Sequence, residues 1–435
     1  MAGQTLAQKI IARAAGRPGV HVGELVVCKV DLAMMHDSGG PRRVAAMLAE
    51  LGATPWDPAK IVVVTDHFVP AVDIASANIL KLTREWVRLN QVDRFHDMQG
   101  ICHVVLTEQG YVRPGMFAVG GDSHSPTAGA YGCFMFGIGA TEMAGVLATG
   151  EIWIRVPETQ RIRWQGSLGA GISAKDMMLA TLKRLGLNTL KYGVAQYSGA
   201  AVADLPMSER MVLANMSAEL GAQTAIIETD ATTFTALKES GVALQDAAAF
   251  HGDADAGYAA TWDFDATMLA PQIAAPHSPD NVSDIGAYGG TRIDQAYIGA
   301  CTGAKLSDLQ MAAAVLRGRK VARGVRLLVA PASARATAQA AADGTLAALT
   351  AAGAILLPSG CGACAGYGAG ILADNEVCIA STARNFRGRM GAASAQVYLA
   401  SPYSVAAAAA AGHIADPRDL LTRPVDPKST SMEVA

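Results

Sequence analysis

The chain has 435 residues, of which 51% are hydrophobic, and carries a formal net charge of −3 at pH 7. That length predicts two to four domains, and the charge gives no basic surface for nucleic acid. Alanine supplies much of the hydrophobic excess, and no apolar run, Val405–Ala411 included, approaches the roughly 20 residues that cross a bilayer. We therefore expect a globular protein with no nucleic-acid partner and no membrane partner.

The N-terminal segment predicts a short amphipathic helix. Thr5 is a typical N-cap residue, and Gly16 follows the last apolar position. Leu6, Ile10 and Ala14 fall on one face of this helix. Basic side chains without acidic neighbours also occur in transit peptides, but the cap and the apolar face favour the first helix of a cytoplasmic enzyme.

Short apolar runs alternate along the chain with longer helical stretches, which predicts α/β architecture with buried strands. Polar or metal-binding residues follow five of these runs directly. The runs and the residues that follow them are Ile61–Val64 before Asp66 and His67, Met116–Val119 before Asp122, Ser123 and His124, Ala296–Ile298 before Cys301, Ala354–Leu357 before Cys361 and Cys364, and Val377–Ala380 before Arg384. Since open α/β sheets build their ligand crevices at the carboxyl ends of strands, we expect one active site assembled from distant segments.

The middle of the chain has a different pattern. It predicts helices over Ala174–Leu185 and Ser208–Leu220, followed by an acidic, turn-rich stretch from Asp246 to Asp265. We therefore expect three α/β lobes, over residues 1–160, 161–285 and 286–435, with Cys301, Cys361 and Cys364 in the third.

The seven cysteines are an odd number in a chain without a recognisable signal peptide, which argues against a disulfide framework. Four of them lie in apolar surroundings and are expected to be small buried hydrophobic residues: Cys28, Cys102, Cys133 and Cys378. The other three, Cys301, Cys361 and Cys364, lie among Gly, Ala and Thr, where backbone N–H groups can approach a sulfur.

Cys301 and the C-x-x-C pair Cys361 and Cys364 leave several metal sites open. A structural zinc site usually has four ligands, a redox C-x-x-C pair leaves Cys301 unexplained, and an electron-transfer [4Fe-4S] cluster normally has four cysteines. A cluster with three thiolates keeps an open iron position, as Lewis-acid chemistry requires. The Asp66–His67 and Asp122–His124 groups suit acid–base work, which favours this last alternative.

Four strings now show a resemblance to a known family: GGDSHSPTAGAYGCFMFGIGATEMA, IGACT, SGCGACAG and RNFRGRMG. They resemble the aconitase superfamily, and especially its 3-isopropylmalate dehydratase type of large, cluster-binding subunit. The resemblance covers nearly the whole chain. It implies a three-lobed α/β/α large subunit that lacks the swivel domain.

The resemblance also implies roles for individual residues. Cys301, Cys361 and Cys364 would ligate a [4Fe-4S] cluster. The implied catalytic residues are Asp66, His67, His103, Asp122, His124 and Glu219, with His103 and Glu219 as a pair. The implied substrate- or cluster-contacting residues are His36, Asp37, Ser123, Asn215, Arg384 and Arg389, the two arginines binding the substrate carboxylates.

The implied reaction is the reversible dehydration of a small 2-hydroxy-dicarboxylate. In this family the base lies on a mobile swivel domain, and no such segment is found here, so the resemblance implies a separate small subunit that completes the site. Gly303 and Ala383 stand where the family commonly has Asn. These departures keep two alternatives open: a hydratase of the maleate, citraconate or dimethylmaleate type, and a cluster-binding homologue whose catalysis has decayed.

Overall fold

The computed structural model describes residues 3–243 and 250–422. By its internal contacts the chain divides into two compact units. The first unit comprises Met1–Ser167 and Leu185–Thr267, and the second comprises Leu168–Arg184 and Met268–Ala435. The division into three lobes at residues 160 and 285 stays a prediction.

The first unit contains most of the helices and strands of the amino-terminal half of the chain. Its helices are α1 (Leu6–Ala14), α2 (Pro41–Glu50), α3 (Ile74–Leu89), α4 (Cys102–Glu108), α5 (Ala140–Thr149), α7 (Ala200–Ala203), α8 (Met207–Met216) and α9 (Ala231–Glu239). Its strands are β1 (Leu25–Lys29), β2 (Leu32–His36), β3 (Ile61–Thr65), β4 (Arg94–Asp97), β5 (Phe117–Gly120), β6 (Phe134–Gly137), β7 (Glu151–Arg155), β8 (Thr159–Gln165), β9 (Val194–Ser198), β10 (Thr224–Ile227) and β11 (Ala260–Asp265). Short 3-10 helices cover Pro58–Lys60, Ser125–Tyr131 and Ser217–Leu220.

A parallel five-stranded sheet, in the order β4-β3-β2-β5-β6, organises the first part of this unit. Its central strands β2 and β3 are buried along their whole length, which explains why they read as continuous apolar runs rather than as alternating patterns. Helices α1, α2 and α5 contribute to the apolar cluster that packs against the sheet. All five strands point the same way, so the loops that follow them meet at one edge.

The rest of the first unit forms a parallel four-stranded sheet, β10-β9-β8-β11, and an antiparallel ribbon of β1 and β7. Strand β11 falls in the stretch that the sequence predicts to be turn-rich. It is an edge strand whose residues alternate between half-buried and exposed, so its acidic residues point to solvent without interrupting the strand. Residues 246–249 of that stretch lie outside the described residues.

The second unit is built around a seven-stranded sheet, β13-β12-β18-β17-β14-β15-β16. Its strands are β12 (Gln272–Ala274), β13 (Val282–Asp284), β14 (Gln295–Ile298), β15 (Arg326–Val329), β16 (Ile355–Leu356), β17 (Val377–Ala380) and β18 (Gln396–Ala400). Its helices are α6 (Ala174–Leu185, whose last residue belongs to the first unit), α10 (Leu306–Leu316), α11 (Ala334–Ala342), α12 (Thr345–Ala352), α13 (Pro402–Ala411) and α14 (Pro417–Thr422), with 3-10 helices over Ile285–Tyr288 and Gly362–Ala365.

The strands from β18 to β16 of this sheet run parallel, whereas β12 and β13 pair antiparallel at the other end. The alanine-rich helix α13 packs against α10 and β14 within the second apolar cluster. Small side chains allow this close approach of backbones. In the part of the chain that the structure describes, no helix is both long and apolar enough to cross a membrane.

Several sequence predictions are confirmed at the level of single elements. Thr5 caps α1 through a capping box, and α6 has the predicted bounds. The predicted helix over Ser208–Leu220 is α8 continued by a 3-10 turn. Cys28, Cys102, Cys133 and Cys378 are buried. The α/β class with parallel sheets is confirmed as well.

Candidate active site

The carboxyl edge of the five-stranded sheet gathers histidines and carboxylates in the first unit. His36 is the last residue of β2, Asp66 follows β3 directly, and Asp122 lies two residues after β5. These three strands are adjacent and parallel, so the prediction that strand-end residues meet is confirmed for this sheet.

Asp66 and His67 form a short, buried carboxylate–imidazole pair. His67 Nδ1 lies 2.6 Å from Asp66 Oδ1, and the other Asp66 oxygen accepts the amide of Cys102 at 2.7 Å. Burial opposes both charges, but the mutual attraction prevails: it raises the pKa of His67 to about 9 and lowers the pKa of Asp66 to about 2. His67 is therefore an imidazolium at neutral pH and can donate a proton.

His36 and Asp37 support this pair from the neighbouring strand. The His36 ring stacks on the His67 ring with centroids 4.2 Å apart. Its Nδ1 accepts the amides of Ser38 and Gly39, so its Nε2–H donates to a carbonyl, that of Gly121, at 2.9 Å. Burial and the adjacent His67 charge lower the pKa of His36, which keeps this ring neutral beside a charged one.

The Asp37 carboxylate fixes the loop after β3. It accepts the backbone amides of Asp66, His67 and Phe68 at 3.2, 3.0 and 2.8 Å. Burial and the charge of Asp66 raise its pKa. Asp37 therefore holds the position of the acid pair, and the sequence does not reveal this contact.

A second network centres on Asp122. His103, on α4, donates from Nε2 to Asp122 Oδ1 at 2.8 Å, and the same oxygen accepts the His124 amide at 2.8 Å. Burial opposes the charge of Asp122, but its bonds to the two histidines hold its pKa well below the usual range. His124 Nε2 donates onward to Glu219 Oε1 at 3.3 Å.

The expected pairing of His103 with Glu219 differs from this arrangement. Among the described residues the His103 ring contacts the Asp122 carboxylate, and the histidine that reaches Glu219 is His124. The two rings lie edge to face at 6.2 Å. The chain order His103, Asp122, His124 and Glu219 does not distinguish the two pairings, because the pairing depends on side-chain orientation.

Asn215 and Ser123 flank this network in different environments. Asn215, on α8, is fully buried and donates to Thr127 Oγ1 at 2.8 Å. Ser123 is exposed beside Asp122. Thr127 is a further residue of the site that sequence reasoning did not single out; its only signal is its place in the string that follows Asp122.

Two groups of side chains in this unit are tight enough for a metal ion, with ligand atoms within 4.8 Å of one another: His36, Asp37, Asp66 and His67, and His103, Asp122 and His124. In both groups the carboxylates already accept backbone or imidazole N–H groups, and His67 carries its own proton. The geometry therefore suits acid–base chemistry better than metal ligation.

The three candidate ligand cysteines lie in the second unit. Cys301 follows β14, and Cys361 and Cys364 follow β16 at a 3-10 turn. Cys301 and Cys364 are buried, whereas Cys361 is half-buried. Gly362 has a positive φ of 52°, which lets the chain turn tightly between the two sulfurs of the C-x-x-C motif.

A buried tyrosine lies close to the cysteine loops. Tyr297, on β14, is fully buried, and its hydroxyl has no hydrogen-bond partner among the described residues. Burial and the nearby charges of Cys364 and Cys361 raise its pKa far above the usual range. A Cβ on Gly362 would lie 3.3 Å from this hydroxyl, so the C-x-x-C backbone lies close to it.

These cysteines fit a cluster better than a single ion. A zinc ion holds its sulfurs at about 2.3 Å, which brings them close to one another, yet the tight groups found among the described residues do not include the three cysteines. Three thiol donors on two glycine-rich loops, beside an unsatisfied buried hydroxyl, suit the larger iron–sulfur core.

Arg384 and Arg389 follow β17 in the same unit, and both are half-buried. The Arg389 Nε is buried and has no hydrogen-bond partner in the part of the chain that the structure describes. Asn385, between them, is fully buried and donates to the carbonyls of Ala275 and Val397 at 2.8 and 3.0 Å. Asn385 therefore anchors the loop, and the Arg389 fork remains available for a carboxylate.

The structure explains one departure from the family pattern. A Cβ at Gly303 would lie 2.2 Å from Ser381 Oγ and 2.6 Å from the Ser381 carbonyl oxygen. Ser381 itself donates to the Gly299 or Gly303 carbonyl at 3.2 Å. The Cys301 loop and the loop before Arg384 are thus in contact at Gly303. This contact leaves no space for a side chain at position 303. Nothing in the structure explains Ala383.

The chain has a histidine–carboxylate network at the carboxyl edge of one parallel sheet and three cysteines after strands of another sheet. This combination is typical of a metal-dependent α/β enzyme. Residues 8–412 match the Aconitase family (aconitate hydratase). The chain belongs to the aconitase family.

Curated relatives agree over almost their full length. The chain is 44% identical to the 3-isopropylmalate dehydratase large subunit 1 of Methanopyrus kandleri, with 96% of this chain and 100% of that protein covered. It is 41% identical to the methanogen homoaconitase large subunit of Methanocaldococcus jannaschii, with 95% of this chain and 100% of that protein covered.

A solved structure supports the fold alone. The holo-form of aconitase X from Thermococcus kodakaraensis matches with a TM-score of 0.51 at 11% identity, over 82% of this chain and 84% of that chain. The expected aconitase-like α/β fold is confirmed.

Proposed function

We propose that this chain is the large subunit of a [4Fe-4S]-dependent hydro-lyase that dehydrates a small 2-hydroxy-dicarboxylate reversibly. Relatives named as 3-isopropylmalate dehydratase and homoaconitase large subunits support the reaction class. They favour this class over a hydratase of the maleate type and over a homologue whose catalysis has decayed.

The observation that carries the proposal is the buried acid pair of Asp66 and His67. Loss of water from a C–C bond requires a proton for the departing hydroxide. His67 holds a proton at neutral pH because the Asp66 carboxylate stabilises the imidazolium. A proton donor of this kind serves elimination directly, whereas a decayed homologue would have no need to maintain a charged imidazole in a buried position.

The second network provides another set of proton-binding groups. Asp122 holds the His103 ring by its Nε2–H, and the His124 ring lies between Asp122, 3.5 Å from its Nδ1, and Glu219, 3.3 Å from its Nε2. We infer that His103 and His124 bind or move a proton beside the reacting carbons, with Glu219 as the outer acceptor. Asn215 and Ser123 are the proposed polar contacts for substrate, together with His36 and Asp37 at the edge of β2.

The cluster is proposed to be held by Cys301, Cys361 and Cys364. When bound, it would supply a Lewis acid for the substrate hydroxyl and one carboxylate. The unpartnered Nε of Arg389 and the neighbouring Arg384 suit the binding of the remaining carboxylate through bidentate hydrogen bonds.

A separate small subunit is the proposed partner. The relatives carry the words "large subunit" in their names, and removal of the β-proton needs a base. We propose that the small, swivel-domain subunit supplies this base, so that the large chain alone has no turnover.

The test is reconstitution under anaerobic conditions. The chain is loaded with iron and sulfide, mixed with its small subunit, and assayed with isopropylmalate and shorter hydroxy-diacids. We expect turnover of at least one hydroxy-diacid that requires both the small subunit and iron. Iron-independent turnover, or a chain that takes up no iron–sulfur cluster, would contradict the proposal.

A further inference from the structure

Lys175 is a buried ammonium in the first turn of α6. It is 1% exposed, and its Nζ donates to the backbone carbonyls of Ser381 and Thr382. These carbonyls precede Arg384 in the loop after β17. A lysine in such a position is uncommon, because removing an ammonium from water is costly unless an anion compensates for it.

Among the described residues, the Lys175 ammonium is hydrogen-bonded to backbone carbonyls and to no carboxylate. The adjacent Asp176 accepts the amide and hydroxyl of Ser173 and the amide of Gln272. The other buried lysine of this region, Lys305, already has its own carboxylate, Asp308, at 2.7 Å. Lys175 therefore has no directly bonded carboxylate of its own.

The cysteine loops lie next to this ammonium. Thr302, which follows Cys301, donates to the same Ser381 carbonyl that accepts from Lys175. Burial lowers the pKa of Lys175 to about 8, and the charges of Cys364, Cys301 and Asp308 act in the opposite direction. Because Thr302 is adjacent to Cys301 in the chain, the Lys175 ammonium lies beside a loop that is proposed to hold the cluster.

We propose that Lys175 is the charge partner of the cysteine-held cluster and that it also positions the Arg384 loop through the Ser381 and Thr382 carbonyls. The assignment rests on the proposed cluster function. Three thiolates around a [4Fe-4S] core of charge +2 leave one net negative charge, which the single ammonium of Lys175 balances. Lys175 is a positioning residue in this scheme, since the ammonium acts through the cluster and the loop rather than on substrate.

The charge balance has a measurable consequence for the cluster. Reduction adds an electron to an already negative group, and a buried cation nearby favours the reduced form. Removing this cation should decrease the reduced fraction at a fixed potential by about tenfold, which corresponds to a midpoint shift of about 59 mV to more negative values for one electron.

The experiment compares K175Q, K175R and K183Q in the full-length, anaerobically reconstituted chain. Lys183 lies on the same helix and forms an exposed ion pair with Asp284, so K183Q is the matched control. Iron content and the midpoint potential of the cluster are measured. We expect K175Q to shift the potential to more negative values and to lose iron faster, and K175R and K183Q to remain near the wild-type potential.

A second neutral variant, K175M, covers the case in which K175Q does not fold, because apolar replacements of buried ions are often tolerated. A neutral variant that folds and keeps its cluster at the wild-type potential would overturn the role of Lys175. So would failure of both neutral variants to fold even without iron, which would assign Lys175 to the fold. A wild-type chain that takes up no cluster contradicts the proposed function instead.

Discussion

The charged groups of the first unit's candidate site and two buried polar groups near the cysteines and arginines of the second unit differ in how they are hydrogen-bonded. In the first unit the Asp66 and Asp122 carboxylates, and the imidazoles beside them, are hydrogen-bonded to one another or to backbone amides. In the second unit the Tyr297 hydroxyl and the Arg389 Nε are buried without partners among the described residues. The first arrangement is preorganised for proton transfer, whereas the second has unsatisfied groups that a cofactor and an anionic substrate would complete.

This comparison predicts that the largest effect comes from the cysteine loops. We expect Cys361→Ser to abolish stable cluster binding and to decrease turnover with the small subunit about a thousandfold or more, because a Lewis acid supplies several kcal/mol. Iron content and turnover measure this. Cys378→Ala is the control, since burial raises the pKa of that thiol to about 12 and it lies within β17. Equal iron loss in both variants would show that Cys361 is not a cluster ligand.

We expect the second-largest effect on turnover from substitution in the acid pair of Asp66 and His67. Asp66→Asn removes the charge that stabilises the His67 imidazolium, and burial then favours the neutral ring. We expect turnover to fall by about 10²- to 10⁴-fold, the usual range for a general acid, while iron content stays unchanged. The exposed Asp263→Asn, which removes the carboxylate partner of Arg163, should change neither quantity. A D66N enzyme with wild-type turnover would show that His67 is not the proton donor.

The pH dependence tests the same comparison of the two units, because the His67 proton belongs to the candidate site of the first unit. The folded pKa of His67, about 9, lies above its ordinary value of 6.5. Its contribution to stability is therefore complete below 6.5 and is lost as the pH rises through about 9. For Asp66, with a pKa lowered to about 2, the contribution is present above 3.8 and is lost as the pH falls through about 2.

We expect turnover to decline on the alkaline side near pH 9 in the wild type. NMR titration of the His67 ring should show the same pKa, and a D66N variant should show a much lower one. An alkaline limb that is unchanged in D66N would assign the limb to another group.

The sequence predicted the strand-end residues of both units better than their side-chain contacts, for a physical reason. Asp66, Asp122 and Cys301 follow buried strands, and parallel strands align their ends, so local patterns located these residues. The partner of His124 depends on side-chain orientation across loops distant in the chain. Lys175 was missed because α6 reads as an ordinary helix, and its contact with Ser381 arises only from tertiary packing.

The smallest predicted effect tests how closely the two loops of the second unit are packed. A Cβ at Gly303 would approach Ser381 Oγ, Cβ and O at 2.2, 2.3 and 2.6 Å, and the backbone oxygen cannot rotate away. We therefore expect Gly303→Ala to destabilise the chain by about 1–3 kcal/mol, as overpacking does, with a lower Tm in thermal unfolding.

Gly145 is the matched control for this substitution. It lies inside α5, and a Cβ there would meet nothing within 4 Å, so Gly145→Ala should stabilise the chain by roughly 0.5–1 kcal/mol. The two Gly→Ala changes should thus move Tm in opposite directions. If G303A were as stable as G145A, the Cys301 loop would be able to move away from Ser381, and the absence of the family Asn at 303 would need another explanation. If G303A is destabilised and also loses iron faster, the same packing that excludes a side chain at 303 positions Cys301 for the cluster.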